Sequence, residues 1–126
     1  MNVALAHDSA APPGPREKLP DDHGAEYDDR ETIEALLEAI RECGHRASEL
    51  LLDGDFQQRV EECGPDLVFN IAEGRQGAGR ESVVPSWLEH VGVPFTGSDA
   101  LTMALSLDKH MSKALACAHG IPTADW

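Results

Sequence analysis

The amino-acid sequence predicts a single α/β domain with a Rossmann-like parallel sheet and helices on both faces of that sheet. Short segments with strand character alternate along the chain with amphipathic helical patterns. The segment Leu67–Ile71 is almost continuously apolar, as expected for a strand that is buried on both faces. Glycines stand where strands pass into helices. Together these observations favour right-handed strand–helix–strand connections within one parallel sheet.

The first half of the chain contains two predicted strands and two predicted helices. Residues 2–6 form the first strand, and the proline-rich residues 9–27 form an irregular loop. A helix begins near Asp28, because Asp28 and Glu31 have capping-box spacing. It ends at Gly44. Apolar residues at helical spacing form one stripe on this helix: Ile33, Leu36, Leu37, Ile40 and Cys43. A second strand, Ser48–Leu52, and a short helix, Phe56–Cys63, follow.

The second half repeats this alternation. After the strand at Leu67–Ile71, a helix is predicted over Ser82–Val91, with Pro85 in its first turn, where proline is tolerated. A fourth strand covers Val93–Thr96. Ser98 is expected to cap a short helix through Leu105, and a last helix runs from Asp108 to Gly120. We expect Val83, Val84, Trp87, Leu88 and Val91 of the helix at Ser82–Val91 to face the core. In the last helix we expect the same of Met111, Ala114, Leu115 and Ala118.

Size and charge limit the possible functions. At 126 residues the chain suits one domain, and no apolar run approaches the length of about 20 residues that spans a bilayer. The net charge is −13, of which residues 1–66 contribute −11 and residues 67–126 only −2. Such an acidic surface repels nucleic acids and anionic membranes, so we expect neither as a partner. An anionic ligand such as a nucleotide would meet least repulsion in the second half.

The cysteines and histidines give no sign of a metal site. Cys43, Cys63 and Cys117 form no metal-binding or redox spacing, and the six histidines are scattered along the chain. We interpret the cysteines as reduced thiols of a cytoplasmic protein. There is also no nucleophile elbow for serine or cysteine catalysis, so no catalytic residue is assigned.

The loop that follows the third strand has two possible interpretations. Its glycines have neither the dinucleotide nor the P-loop spacing, so the loop is either a plain strand-to-helix turn or a ligand loop. Glu73 lies at the carboxyl end of the strand, the edge at which parallel α/β sheets bind ligands. It is either a solvated carboxylate or a ligand-binding residue.

Two lysines of the last helix could contact an anion. Lys109 and Lys113 are four residues apart, on the side of the helix opposite its apolar residues, and solvation alone would explain both. Lys109 stands in the first turn, where a cation is unfavourable beside the positive helix terminus. An anion bound nearby would compensate for that placement.

Several motifs in residues 66–123 resemble the N-terminal domain of D-alanine–D-alanine ligases. The combination of Gly-[Ile/Val]-Pro-[Tyr/Phe]-Thr-Gly-Ser, a short helix, Asp-Lys, a helix and Gly-[Ile/Val]-Pro-Thr is specific, whereas residues 2–65 match loosely. The matching segments are FN at 69–70, EGR at 73–75, LEHVG at 88–92, VPFTGS at 93–98, ALSLDK at 104–109 and AHGIPT at 118–123.

This resemblance implies a member of the ATP-grasp superfamily, in which ATP phosphorylates a carboxylate and an amine attacks the acyl phosphate. It implies a cytoplasmic ligase of peptidoglycan (cell-wall) biosynthesis that uses ATP and Mg²⁺ and contacts a second copy through its N-terminal, pre-ATP-grasp domain. Lys109 would contact ATP. Glu26 would touch the first amino-acid substrate, as would Glu73, which stands where the family usually has a histidine.

The chain departs from the family in sequence and in length. Glu73 reverses the charge that the usual histidine offers to a substrate carboxylate, which leaves a substrate other than D-alanine as an alternative. The family's early glycine-rich loop is replaced by the proline-rich stretch 9–23, and the acidic pair usual after the later glycine loop is missing. The central and C-terminal ATP-grasp domains would begin near Trp126. We therefore expect the chain alone to be catalytically inert and to bind no cofactor tightly.

Three hypotheses follow for the function. The chain is an N-terminal piece of a D-alanine–D-alanine ligase-like enzyme, a stand-alone Rossmann-like binding or dimerisation module, or a piece of a ligase for another amino acid or a peptide. Each predicts a different behaviour in solution. The first predicts no ATP hydrolysis by the chain alone, the second a stable dimer, and the third a substrate preference that depends on Glu73.

Overall fold

The structure, a computed structural model, describes residues 1–8 and 28–125 and contains a three-stranded parallel sheet. The strands are β1 (Asn2–His7), β2 (Arg46–Leu51) and β3 (Leu67–Asn70), and β1 lies in the centre, in the order β2-β1-β3. In this register Leu5 pairs with Glu49 on one side and with Phe69 on the other. The predicted parallel α/β architecture is confirmed. The predicted loop 9–27 lies outside the described residues.

Five α-helices accompany the sheet in the described part of the chain. A short 3-10 turn, Arg80–Ser82, leads directly into the third of them. The helices are α1 (Arg30–Glu42), α2 (Phe56–Cys63), α3 (Val83–Val91), α4 (Ala100–Leu107) and α5 (Lys109–Ala118).

Alternate residues of β1 face opposite sides of the sheet, and helices cover both sides. Ala4 and Ala6 are completely buried against side chains of α2 and α3, while Leu5 is completely buried against α1. Small residues on the first side let the helices approach the sheet closely. The two core clusters are Ala4, Ala6, Leu50, Phe56, Val60, Val68, Ala72, Val84 and Leu88 on one side, and Leu5, Ile33 and Leu37 on the other.

Aspartates cap three of the helices, and two of the predicted caps are wrong by one residue. Asp29, not Asp28, caps α1 by accepting a hydrogen bond from the Thr32 amide at 2.7 Å. Asp99, not Ser98, caps α4. In both cases the capping residue has an extended backbone, which directs its carboxylate back over the first turn. Asp108 caps α5 by accepting hydrogen bonds from the amides of His110, at 2.9 Å, and Met111, at 3.0 Å.

The predicted fourth strand is present only as one isolated parallel bridge, between Val68 and Phe95. Two features stop the ladder from growing. Pro94 has no amide hydrogen to donate on one side of the bridge. On the other side, the Asn70 amide donates to the Thr96 hydroxyl oxygen at 3.0 Å instead of to a backbone carbonyl. The backbone pairing therefore ends at this side-chain contact.

Some side chains that were expected in the core are exposed. Val84 and Leu88 of α3 are buried as predicted, but Val83 is 53% exposed and Val91 39%. No residue of α4 or α5 is buried, and Met111 and Leu115 are exposed. Among the described residues, no helix has both the length and the apolar character needed to cross a membrane.

Candidate functional site

A small cavity lies at the carboxyl end of β3, the edge where parallel α/β sheets place their ligands. Its volume is about 160 Å³. Complete small-molecule sites usually exceed about 300 Å³, so this cavity has the size of one part of a site. Its walls come from the end of β3 and the loop after it, from the 3-10 turn, from the segment after the isolated bridge, and from α4: Asn70, Ile71, Ala72, Glu73, Glu81, Thr96, Gly97, Ser98 and Met103.

Glu73 lines this cavity, as its position after β3 predicted. Its side chain is half-buried. Glu81, from the 3-10 turn, lines the same cavity and lies 3.8 Å from the guanidinium of Arg80. The cavity therefore carries two carboxylates with a guanidinium beside one of them.

Asp8, which sequence reasoning missed, holds the loop that carries Glu73. Asp8 follows β1 directly and is only 5% exposed. Its Oδ2 accepts hydrogen bonds from the backbone amides of Glu73, at 2.6 Å, and of Gly74, at 2.8 Å. Its Oδ1 is buried without a hydrogen-bond partner in the described part of the chain. The available signal was the position of Asp8 at the same carboxyl edge of the sheet as Glu73.

Gly74 is required by the path of this loop. Its φ is +73°, a conformation that side chains disfavour. A Cβ at this position would also lie 2.4 Å from the backbone oxygen of Arg80. The 3-10 turn can therefore pack directly on the loop only because residue 74 has no side chain.

The opposite wall of the cavity is fixed by Asn70 and Thr96. Besides the bond from its own amide to Thr96, Asn70 accepts a hydrogen bond from the Ala72 amide through Oδ1, at 3.2 Å. These two contacts join the end of β3 to the loop that follows it and to the segment after the isolated bridge. Both residues stand in motifs singled out in the sequence, but their contact was not predicted, because a hydrogen bond between residues 26 positions apart leaves no local pattern.

The other predicted ligand residues do not meet at this cavity. Lys109 is the first residue of α5; it is exposed and is not among the residues that line the cavity. Lys113 donates to the backbone carbonyls of Ala124 and Asp125, so it contacts the end of the chain. Glu26 lies outside the described residues. The roles predicted for Glu26, Glu73 and Lys109 remain predictions.

A polar network lies beside the cavity edge, at the ends of β1 and β2. The buried ring of His7 contacts Glu49 through Nε2 and the Asp8 carbonyl through Nδ1, both at 3.0 Å. Arg30 donates to the same Glu49 carboxylate at 2.7 Å. Burial opposes ionisation of Glu49, but the hydrogen bonds and positive charges of Arg30 and His7 outweigh it. The pKa of the Glu49 carboxyl therefore lies below its usual value.

Several D-alanine–D-alanine ligases are similar to this chain in sequence. The ligase of Aquifex aeolicus is 39% identical over 95 residues, which is 75% of this chain and 32% of the ligase. The ligase of Moorella thermoacetica is 35% identical over 89 residues, or 71% of this chain and 28% of the ligase. The chain belongs to the D-alanine–D-alanine ligase family as a partial member. The predicted resemblance is confirmed.

The chain spans about a third of the length of the D-alanine–D-alanine ligases that it matches. A solved D-alanine–D-alanine ligase of Bacillus anthracis, in complex with ATP, has the same fold over 100% of this chain and 39% of its own, with a TM-score of 0.69. Its sequence identity is 20%, so this likeness concerns the fold. An uncharacterized protein of Sinorhizobium fredii is 39% identical over 103 residues. No protein-family model matches the chain.

Proposed function

We propose that the chain is the N-terminal, pre-ATP-grasp part of an ATP-dependent carboxylate–amine ligase similar to D-alanine–D-alanine ligase. The observation that carries this proposal is the sequence identity of 33–39% to such ligases over about three quarters of the chain. The cavity at the carboxyl end of β3 is then one wall of the amino-acid site, with Glu73 and Glu26 as substrate-binding residues.

Lys109 is the proposed ATP contact. Its exposed side chain projects from the first turn of α5. The backbone amides of a first turn have no acceptor within the helix and favour an anion. Asp108 already accepts from two of those amides, so the lysine charge is the main attraction left for a phosphate. Lys113 is its matched control, because Lys113 lies one turn further along the helix and donates to backbone carbonyls of the same chain.

Ligation by such an enzyme also requires parts that lie in the remaining two thirds of its relatives, and we propose that this chain alone does not ligate. Phosphoryl transfer depends on positioned donors and on metal ions. Among the described residues, no group of three or more histidines, cysteines, aspartates or glutamates could hold a metal ion. A Mg²⁺ ion held by three such side chains therefore has no site in the described part of the chain.

The proposal is tested by binding and turnover together. Amide NMR of the ¹⁵N-labelled chain is recorded during titration with D-alanine and, separately, with ATP. We expect D-alanine to shift the amides around Glu73, and ATP those around Lys109, with no phosphate release. Lys109→Ala should remove the response to ATP and Lys113→Ala should preserve it. Turnover by the chain alone would contradict the inertness, and the absence of both responses would contradict the two binding roles.

A related ligase with a different substrate is the second candidate function, and it is favoured by Glu73. Glu73 stands where the family usually has a histidine, and this change of charge suits a substrate with an additional ammonium group better than one presenting a carboxylate. Titration with D-alanine, D-lysine and a D-alanyl dipeptide distinguishes the candidates. If Glu73→His leaves the order of the three affinities unchanged, the charge of Glu73 does not select the substrate.

A binding or dimerisation module without catalysis is the remaining alternative. It is favoured by the exposed apolar side chains of α4 and α5, which include Leu101, Met111 and Leu115. Sedimentation equilibrium gives the oligomeric state. A dimer that Leu101→Asp or Leu115→Asp dissociates, together with no response to ATP or to D-alanine, would favour this alternative over the ligase.

A further inference from the structure

The loop that carries Glu73 is tied to β1 by one buried side chain. Asp8 Oδ2 accepts both the Glu73 amide and the Gly74 amide, which lie 65 and 66 residues further along the chain. At 2.6 and 2.8 Å both bonds have the short lengths of charge-assisted hydrogen bonds. Because Asp8 is itself 5% exposed, water competes little for them.

This connection fixes the backbone from which the Glu73 side chain projects. The Glu73 amide belongs to the peptide plane before the Glu73 Cα and the Gly74 amide to the plane after it, so two bonds to one oxygen hold the backbone on both sides of that Cα. On the amino side, the Ala72 amide is held by Asn70. Gly74 in turn packs against the backbone of Arg80. The backbone of Glu73 is thus held from both directions, although the loop contains three glycines that would otherwise favour many conformations.

We propose that Asp8 is a positioning residue that fixes Glu73 at the cavity through the backbone amides of Glu73 and Gly74. The inference rests on the proposed role of Glu73 as a substrate-binding residue. Asp8 does not line the cavity and acts through Glu73. Its own backbone continues the central strand β1. Glu73 is therefore fixed relative to the most buried strand of the sheet.

Three variants test this role. Asp8→Ala removes both hydrogen bonds, and Asp8→Asn retains an oxygen acceptor without the charge. Asp66→Ala is the matched control: the Asp66 carboxylate accepts the Asn2 amide at 2.6 Å, at the opposite end of β1. Each alanine variant therefore removes a carboxylate that accepts from the backbone, two amides at Asp8 and one at Asp66, but only Asp8→Ala does so beside the cavity.

Amide hydrogen exchange and side-chain couplings are measured for each variant. In Asp8→Ala we expect exchange at Glu73 and Gly74 to accelerate about ten- to a hundredfold, the factor for losing a hydrogen bond to a charged group. The χ1 couplings of Glu73 should change from one rotamer to an average. Asp8→Asn keeps an acceptor without the charge, so exchange at both amides should accelerate by a smaller factor, about two- to tenfold. Asp66→Ala should leave the exchange and the couplings at wild-type values.

Unchanged exchange and couplings in Asp8→Ala would overturn the proposal. If Asp8→Ala does not fold, Asp8→Asn decides: exchange at these two amides that is no faster than in the wild type would overturn it.

Titration with D-alanine separates this inference from the proposed function. A response of the Glu73 amide that is lost in Asp8→Ala and kept in Asp66→Ala supports both. If the wild type does not respond but the exchange and rotamer effects occur, the substrate role fails and the positioning role stands. An undiminished response in Asp8→Ala would overturn the positioning role while the substrate role stands.

Discussion

The Nε2 atom of His7 lies 3.0 Å from the Glu49 carboxylate, and this contact joins the buried end of β1 to β2. The other ring nitrogen of His7 contacts the carbonyl of Asp8, at 3.0 Å. One imidazole ring therefore contacts both the carbonyl that follows β1 and a carboxylate of β2.

A double-mutant cycle measures the coupling between His7 and Glu49. We expect His7→Ala to lower the free energy of unfolding by about 1–3 kcal/mol, because it removes a buried hydrogen-bonded ring and leaves the Glu49 carboxylate with one partner fewer. The coupling with Glu49→Gln should be at least about 0.5 kcal/mol, as is usual for residues in direct contact. Urea denaturation of the four proteins gives the value. Strict additivity would show that the contact contributes nothing to stability.

The lowered pKa of Glu49 predicts an acid-sensitive contribution to stability. The folded-state pKa lies below the usual value of 4.5, so this contribution is complete above that pH and is lost as the pH falls through the folded-state pKa. Arg30→Ala should raise the pKa of the carboxyl. Arg41→Ala is the control, because Arg41 contacts Glu38 on the same helix. Carbon-detected NMR titration of Glu49 checks both variants, and an equal effect of the two would contradict the assignment to Arg30.

The sequence predicted the elements whose signals are local. The bounds of α2 were predicted without error, because its apolar stripe, Gly64 and the following strand mark them clearly. The cavity edge was also predicted, since the end of β3 and the position of Glu73 follow from the strand pattern alone. The cap positions of α1 and α4 were not predicted correctly. Asp28 and Asp29 are both good caps, as are Ser98 and Asp99, and only the backbone conformation decides between neighbours.

Contacts between distant residues account for what the sequence did not predict. A single aspartate after a strand has no signature, so the role of Asp8 became visible only when β1 was placed beside β3. The predicted fourth strand is reduced to one isolated bridge for a similar reason. Its residues have strand character, but the Thr96 hydroxyl takes the place that a backbone carbonyl would have in a ladder. Neither effect could be read from periodicity.

Gly74 and Gly77 form a matched pair for testing the packing of the loop. Both have a positive φ, of +73° and +93°, but a Cβ at Gly77 would meet open space. We expect Gly77→Ala to cost about 1–2 kcal/mol from its backbone conformation alone. Gly74→Ala should cost about 1–3 kcal/mol more, because its Cβ collides with the Arg80 backbone and the loop must move. Thermal or urea denaturation gives both values, and equal costs would show that the loop adapts without strain.

The Thr96 hydroxyl accepts the Asn70 amide where the β3 pairing ends, and two substitutions of different chemistry test this contact. Thr96→Val has nearly the same shape but no acceptor, so it leaves the half-buried Asn70 amide without its partner. We expect a loss of about 1–2 kcal/mol in the free energy of unfolding and faster hydrogen exchange at Asn70. Thr96→Ser keeps the hydroxyl and should keep the protection of that amide. In Thr96→Val, protection of the Asn70 amide at the wild-type level would contradict the conclusion that the Thr96 hydroxyl is the acceptor that protects this amide.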